Sequence, residues 1–399
     1  MRRVPGMEQL LPALHGLAPA YLVGGAVRDL LRGAEAVDLD VAVESDARSV
    51  ARALADRLDG ETREHERFGT ASVRADGLSL DLATTRRETY PEPGALPEVE
   101  EAGLAEDLAR RDFSINAMAV GLTGDDLGHL YDPLGGLADL DDATVRVLHE
   151  RSFVDDPTRL LRALRYEARL GFRMDPHTER LARDAAAEAQ LRTVSGARVR
   201  DELMDLLGEP DAPSGIERMH ELGIDRALHT ALEADSELVA SAALGAVALG
   251  ADRALAGLAA LTAEAPRRLD LWVADLHLNA WERDAVSRAA RVAPRLAAEL
   301  RSREHLPSEL RDLLGRETLI ALSLALAMGA PSQPILRWVT ELSEVRLEIS
   351  GDDLVRAGVP EGPALGRALE ETLRRKLDGL VSGREAELET ALALARSDS

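Results

Sequence analysis

Alternation of apolar and polar positions is clearest at VDLDVAV (37–43), where Val37, Leu39, Val41 and Val43 interleave with Asp38, Asp40 and Ala42. That period of two predicts a half-buried strand whose aspartates share one face. Residues 61–75 and 78–84 predict two more strands joined at Asp76-Gly77, a favoured hairpin turn. Residues 7–18 predict a short helix leading into a strand at 21–23. A second helix opens at Gly24-Gly25 and runs to about Arg32. Ser45-Asp46 caps a third over 47–58, with Val50, Leu54 and Leu58 on one face. Residues 86–106 carry three prolines and little periodicity, which predicts a mobile loop. RRDFSINAM (110–118) predicts a polar turn running into a strand, and DPLGGLADL (132–140) a turn-rich connector.

From about Asp155 the pattern becomes helical. Leu160, Leu161, Leu164 and Ala168 form an apolar stripe, and Asp155, Asp156 and Pro157 stand where a helix begins. Helical spacing continues through 198–207, 214–222, 252–262, 283–300 and 366–396, with no short-period repeat. The uncharged stretch 318–336 is broken by Gly329, Pro331 and Pro334, which predicts a buried helix and a turn rather than a membrane span. The chain is therefore expected to be α+β: a mixed sheet with helices, then an all-α remainder.

Composition narrows the chemistry. All four Tyr and all four Phe lie at or before Phe172, whereas Trp272, Trp281 and Trp338 follow it, marking a change of architecture near 170–200. Cysteine is absent, which removes disulfides, zinc thiolates and thiol nucleophiles and suits a reducing cytoplasm. The N-terminal MRRVPGMEQL has no apolar core of signal-peptide length. A net charge of −23 argues against general coating of nucleic acid, but Lys376 is the only lysine among 48 basic residues. The cations are thus nearly all arginines, suited to bidentate bonds with phosphates and base edges. No His is followed by Asp, so a phosphohydrolase of the His-Asp type is not visible.

Candidate chemistry centres on Asp38 and Asp40. Adjacent carboxylates repel unless a cation sits between them, and hard oxygen donors suit Mg²⁺. Upstream, Gly24 and Gly25 allow close backbone approach to a ligand, and Arg28 suits a phosphate. Asp81 becomes a third carboxylate, placed to accept a proton from an attacking hydroxyl, if its strand neighbours the first. Arg110, Arg111 and Asp112 form a polar cluster ahead of an apolar run. Asp156, Arg159, Arg162 and Arg165 follow at helical spacing, where surface ion pairing is the alternative reading.

In this order and spacing, LVGGAVRD, DLD, RRDFSINAM, DPLGGLADL and DDPTRLLRALRYEARLGF resemble the class II tRNA nucleotidyltransferase and bacterial poly(A) polymerase superfamily. The stretch ISGDDLVRAGVPEGPALGRALEETLRRKLDG also resembles the C-terminal segment of CCA-adding enzymes. The resemblance implies a polymerase-β-like nucleotidyltransferase head over 1–140, a helical neck over 141–205, a body over 206–345 and a tRNA-binding tail over 346–399. It implies extension of tRNA 3′ ends with CTP and ATP, without a nucleic-acid template and by a two-metal mechanism. By the same resemblance Asp38 and Asp40 match the metal pair, Gly25 and Arg28 the triphosphate contacts, and Arg111 and Asp112 the sugar contacts. Asp156 and Arg159 match the base-reading pair, with Arg162 and Arg165 as further nucleotide contacts. Where the family commonly has Glu-Asp, this chain has Asp155-Asp156.

The physical logic of base reading is simple. Cytosine and adenine both offer an amine beside a ring-nitrogen acceptor, so an Asp acceptor and an Arg donor select them and reject uracil and guanine. Within the class, an A-adding or CC-adding enzyme is the alternative to full CCA addition. A poly(A) polymerase fits less well, because a strongly basic C-terminal extension is missing. Outside the class the alternative is an inactive tRNA-binding protein. Arg198, Arg200, Arg374 and Arg375 are the candidate RNA-phosphate contacts of the helical half.

Overall fold

A computed structural model describes residues 6–34, 39–65 and 69–397. By internal packing the chain divides into two compact units, Met1–Thr230 and Ala231–Ser399. Among the described residues no helix is long and apolar enough to cross a membrane.

The first unit is built on a seven-stranded mixed sheet. Its strands are β1 (Ala20–Val23), β2 (Leu39–Val43), β3 (Glu61–His65), β4 (Thr70–Ala75) and β5 (Leu78–Thr84). A separate two-stranded hairpin follows, β6 (Arg86–Thr89) and β7 (Glu98–Glu101), before β8 (Ala119–Gly121) and β9 (Leu130–Tyr131) complete the main sheet. The sheet order is β3-β4-β5-β2-β1-β8-β9, and β2 runs parallel to β5 while its other pairings are antiparallel. Helices α1 (Met7–Leu14), α2 (Gly25–Leu31), α3 (Ala47–Leu58) and α4 (Leu104–Ala109) accompany these strands. In α3, Asp46 accepts from the Arg48 amide at the N-terminus, and Val50, Ala51, Leu54 and Ala55 form the buried face. Leu10, Leu22, Leu54, Leu80 and Leu82 are among the side chains withdrawn from solvent in the core.

After the sheet come α5 (Gly136–Asp141), α6 (Ser152–Asp155), α7 (Arg159–Leu170), α8 (Pro176–Ala187), α9 (Gly196–Gly208), α10 (Ala212–Glu221) and α11 (Ile224–Leu228). One short parallel ladder interrupts them, Thr144–Val145 with Arg173–Met174. The second unit is all-helical. There the helix Ser236–Leu249 packs so closely on Leu319–Ala327 that a Cβ on Gly245 would lie 2.9 Å from the Ser323 carbonyl. Within the uncharged stretch, residues 320–325 of this second helix are buried. The expected α+β class with a helical remainder is the observed one.

Five local expectations need correction. Glu61–His65 and Thr70–Ala75 are two strands, β3 and β4, paired antiparallel, rather than one. The proline-bearing stretch 86–106 is an ordered hairpin followed by α4. Alternating charges pair across it, Arg87 with Glu100 directly opposite, so cross-strand ion pairing replaces the missing apolar alternation. RRDFSINAM folds as a single 3₁₀ turn over Ser114–Asn116, and its strand begins only at Ala119. DPLGGLADL contains α5, whose first turn is capped by Asp132 accepting from the Gly136 and Leu137 amides. Finally, Asp156 does not lie on the helix that carries Arg159. It precedes Pro157 with an extended backbone (φ −132°, ψ 91°), as the proline ring demands of its predecessor.

Candidate active site

Two exposed aspartates on the sheet start the site. In the parallel ladder Asp40 of β2 stands directly opposite Asp81 of β5, both exposed on one face of the sheet. Asp81 Oδ1 accepts from Ser72 Oγ at 2.5 Å. Asp38 lies outside the described residues. Among the described residues no group of three or more His, Asp or Glu side chains converges as a metal site. Asp40 and Asp81 nevertheless supply the hard, anionic oxygen donors that a divalent cation prefers.

Glycine is required at the turn between β1 and α2. Gly24 has φ +68°, and a Cβ there would lie 3.1 Å from Arg111 Nη1 and 3.8 Å from Asp40 Oδ2. The close approach of three functional elements thus depends on a missing side chain. Gly25 begins α2, with Arg28 Nη2 3.4 Å from where its Cβ would be. Arg28 is buried, bonded to Asp29 through Nε (2.9 Å) and Nη2 (3.0 Å), and donates from Nη1 to Asn116 Oδ1 at 2.8 Å. Its guanidinium sits 5.3 Å from the centre of the Tyr166 ring.

Asn116 passes the network on. Its Nδ2 donates to Asp112 Oδ1 at 3.0 Å, while Asp112 Oδ2 takes Nε and Nη2 of Arg162 at 2.9 and 2.7 Å. Burial alone would raise the Asp112 carboxyl, but the Arg162 charge and the hydrogen bonds hold it below the ordinary carboxylate range. Arg162 also reaches Glu202 Oε1 (3.0 Å) and the Tyr166 hydroxyl (3.2 Å). Burial pushes the Glu202 carboxyl up, against the pull of Arg162. Arg165 is held by Asp205 and, at 2.8 Å, by Glu209.

A second buried carboxylate holds the arginines of the sheet side. Asp107, 1 % exposed, accepts from Arg110 Nε and Nη2 and from Arg111 Nη2, all within 2.9 Å. Against its desolvation, these two charges keep the Asp107 carboxyl below its ordinary range. Glu88 on β6 receives Arg86, Arg110 and the Tyr90 hydroxyl, so the hairpin is tied to the same cluster.

The base-reading candidates are not each other's partners. Asp156 Oδ1 accepts from the Thr158 amide (3.1 Å), Thr158 Oγ1 (2.6 Å) and Arg198 Nη2 (2.8 Å). Arg159 is buried and donates to Ser152 Oγ (2.8 Å) and the Arg110 carbonyl (2.9 Å). A surface ion pair between the two is therefore not what the structure contains.

One cleft of about 610 Å³ is lined by Gly24, Gly25, Arg28, Asp40, Arg111, Asp112, Asp156, Arg159, Arg162 and Arg165. Asp81 lines a neighbouring cavity of about 440 Å³ that shares Asp40 and Arg111 with the first. Eight arginines and seven carboxylates line the larger cleft, so it escapes the strong negative charge of the chain as a whole. Sequence reasoning passed over Asp107, Glu88, Asn116, Tyr166 and Glu202. Only Asp107 had a readable signal, three and four residues before Arg110 and Arg111 on a short helix. Arg198, read as an RNA-phosphate contact, is in this cleft with Asp156.

Residues 20–146 match the family model described as the poly A polymerase head domain, and 171–235 one described as a probable RNA and SrmB-binding site of polymerase A. The chain is 37% identical to an A-adding tRNA nucleotidyltransferase of Geobacter sulfurreducens over 95% of its own length, but spans only 45% of that longer protein. It is 33% identical to a CC-adding tRNA nucleotidyltransferase of Deinococcus radiodurans, covering 92% of this chain and 87% of the relative. Among solved structures, a Thermotoga maritima CCA-adding enzyme complexed with tRNA-CCA superposes with a TM-score of 0.77 at 32% identity, over 94% of this chain and 91% of that one.

Proposed function

The chain belongs to the tRNA nucleotidyltransferase family, which shares the poly A polymerase head, and on that premise we propose that it extends tRNA 3′ ends in the cytoplasm using CTP and ATP. The observation that carries this reading is one cleft that brings Gly24, Gly25, Arg28, Asp40, Arg111, Asp112, Asp156 and Arg159 together. In this reading Gly25 and Arg28 hold the triphosphate, Arg111 and Asp112 hold the sugar, and Asp156 and Arg159 read the base, with Arg162 and Arg165 completing the pocket. Asp81 accepts the proton of the attacking 3′-hydroxyl. Asp38 and Asp40 would hold divalent cations, Mg²⁺ in the finer form of the proposal, and two such ions would supply activation of that hydroxyl and neutralisation of the triphosphate. The four-part organisation into head, neck, body and tail, with the tail on tRNA, belongs to the same proposal.

Asp156 Oδ1 is occupied by three donors, while among the described residues Oδ2 accepts no hydrogen bond. It is the oxygen left for the exocyclic amine of C or A. Guanine and uracil would set a carbonyl against it, and an unmatched buried charge costs roughly 1–3 kcal/mol, enough for about 10- to 100-fold discrimination. Full CCA addition is the first reading. Addition of the terminal A alone is the second, favoured by the name of the Geobacter relative. Purified protein given tRNAs ending before CCA, after C and after CC, each with labelled CTP or ATP, separates them. Incorporation on none of these acceptors would overturn the proposal.

A further inference from the structure

Arg198 is one of three arginines of the cleft, with Arg110 and Arg169, that hold neither nucleotide nor metal in the proposed function. Arg198, on α9, donates from Nη1 to the Gly94 carbonyl at 3.0 Å and from Nη2 to Asp156 Oδ1 at 2.8 Å. Gly94 is at the tip of the β6–β7 hairpin, in a left-handed backbone (φ +72°) where an added Cβ would collide with Thr193. Its amide donates to the Val154 carbonyl on α6 at 3.3 Å. One guanidinium therefore bridges the hairpin tip and the carboxylate that faces the base.

We propose that Arg198 is a positioning residue for base selection: by clasping Gly94 and Asp156 Oδ1 together, it fixes the carboxylate so that Oδ2 alone meets the incoming base. The inference rests on the functional reading above and deepens it. An aspartate χ2 is broad and two-fold, so a lone carboxylate rotates readily between its oxygens. Three donors on Oδ1, one of them charged, remove that freedom. Recognition by a single acceptor needs such restraint, because a small tilt trades a good hydrogen bond for a poor one with any base. The clasp also gives the hairpin tip a route to the base: moving Gly94 releases or re-aims Asp156 through Arg198.

The test is kcat/KM for all four nucleoside triphosphates on one tRNA acceptor, with the KM for tRNA and the melting temperature measured alongside. Arg198→Ala is expected to lower the preference for ATP over GTP and for CTP over UTP about tenfold, leaving the KM for tRNA within about twofold. Millimolar guanidinium should restore part of the preference in Arg198→Ala, and none in Asp156→Ala, where the group it positions is gone. Gly94→Ala keeps Arg198 but displaces the hairpin tip from Thr193, and should relax selection in the same direction; it serves if Arg198→Ala does not fold. An unchanged base preference in folded Arg198→Ala, or a loss confined to the KM for tRNA, would overturn the inference while the functional reading stands. A wild-type protein that transfers nothing to tRNA would instead overturn the functional reading itself.

Discussion

At the scale of single residues, the site separates groups that bear load from groups that face the cleft. Asp40 is exposed on its strand, so Asp40→Ala removes no core volume and should leave the melting temperature within a degree or two. Turnover should fall a thousandfold or more, on the order of 4 kcal/mol in the barrier. Near-normal incorporation by the folded variant would remove Asp40 from the metal site. Asp156 predicts a different loss. Asp156→Ala deletes the acceptor but leaves Arg28, Gly24 and Gly25 in place, so use of CTP and ATP should fall strongly while relative use of UTP rises. Four-nucleotide kinetics decide this, and an unchanged preference for C and A would end the base-reading assignment. Asp112 adds a dependence on pH. Its folded carboxyl lies below the ordinary range, so between that value and about 4 the unfolded chain binds a proton that the native protein does not. The stability it contributes is complete above about pH 5 and is lost as pH falls through the depressed value. Chemical denaturation between pH 6 and pH 3 should show a shallower acid limb for Asp112→Asn than for the wild type.

Elements explain what was legible in the chain and what was not. β5 was readable because it buries one face, and β2 because Leu39, Val41 and Val43 are buried while Asp40 between them is exposed; from that alone, Asp81 could be expected beside the first aspartates if the strands were neighbours. The β6–β7 hairpin was not readable, because neither strand has a buried face. Its pattern is ionic, Arg86 and Arg87 against Glu100 and Glu101, and the prolines at its tip look like those of any loop. Asp156 was misplaced for a local reason: the helical periodicity of its neighbours hid a cap that Pro157 and Thr158 impose. Arg198 was out of reach, since its partners are 42 and 104 positions away. The hairpin now carries a specific expectation. Deleting 91–97 takes away the tip that docks on α6 and α9, and should impair ATP addition while sparing CTP addition. Equal loss of both activities would make the tip a general folding or RNA-binding element. The helix α7 is held from the other side by Glu167, 1 % exposed, which accepts from Arg218 of α10 at 3.0 Å and from the Met174 amide at 2.8 Å. Arg218→Ala would strand that charge and should destabilise the protein by about 3–5 kcal/mol in urea titration. A loss below about 1 kcal/mol would show that water reaches Glu167.

For the whole molecule the question is how a chain of net charge −23 would hold the polyanion proposed as its substrate. Part of the answer is where its 48 basic residues stand among 71 acidic ones. Lys376, the only lysine, is committed to the fully buried Glu387 at 2.6 Å, so it is structural rather than a phosphate contact. Arg374 and Arg375 pair at the surface with Asp312 and Glu371. Such exposed pairs are worth only about 0–1 kcal/mol each, so an RNA phosphate would displace them at little cost. Arg200, beside Asp201, is in the same position. If tRNA is held by arginines of this kind, each neutralised phosphate releases counterions, and log affinity falls linearly with log salt. The slope should be about −0.7 to −0.9 per phosphate. The double variant Arg374→Ala, Arg375→Ala should reduce its magnitude by roughly one to two, leaving CTP and ATP kinetics on saturating tRNA unchanged. Filter binding of labelled tRNA between 50 and 300 mM salt (about a sixfold span) gives the slope directly. A flat dependence would mean that phosphate contacts do not hold the substrate. A steep slope that the double variant leaves intact would move the RNA track to other arginines.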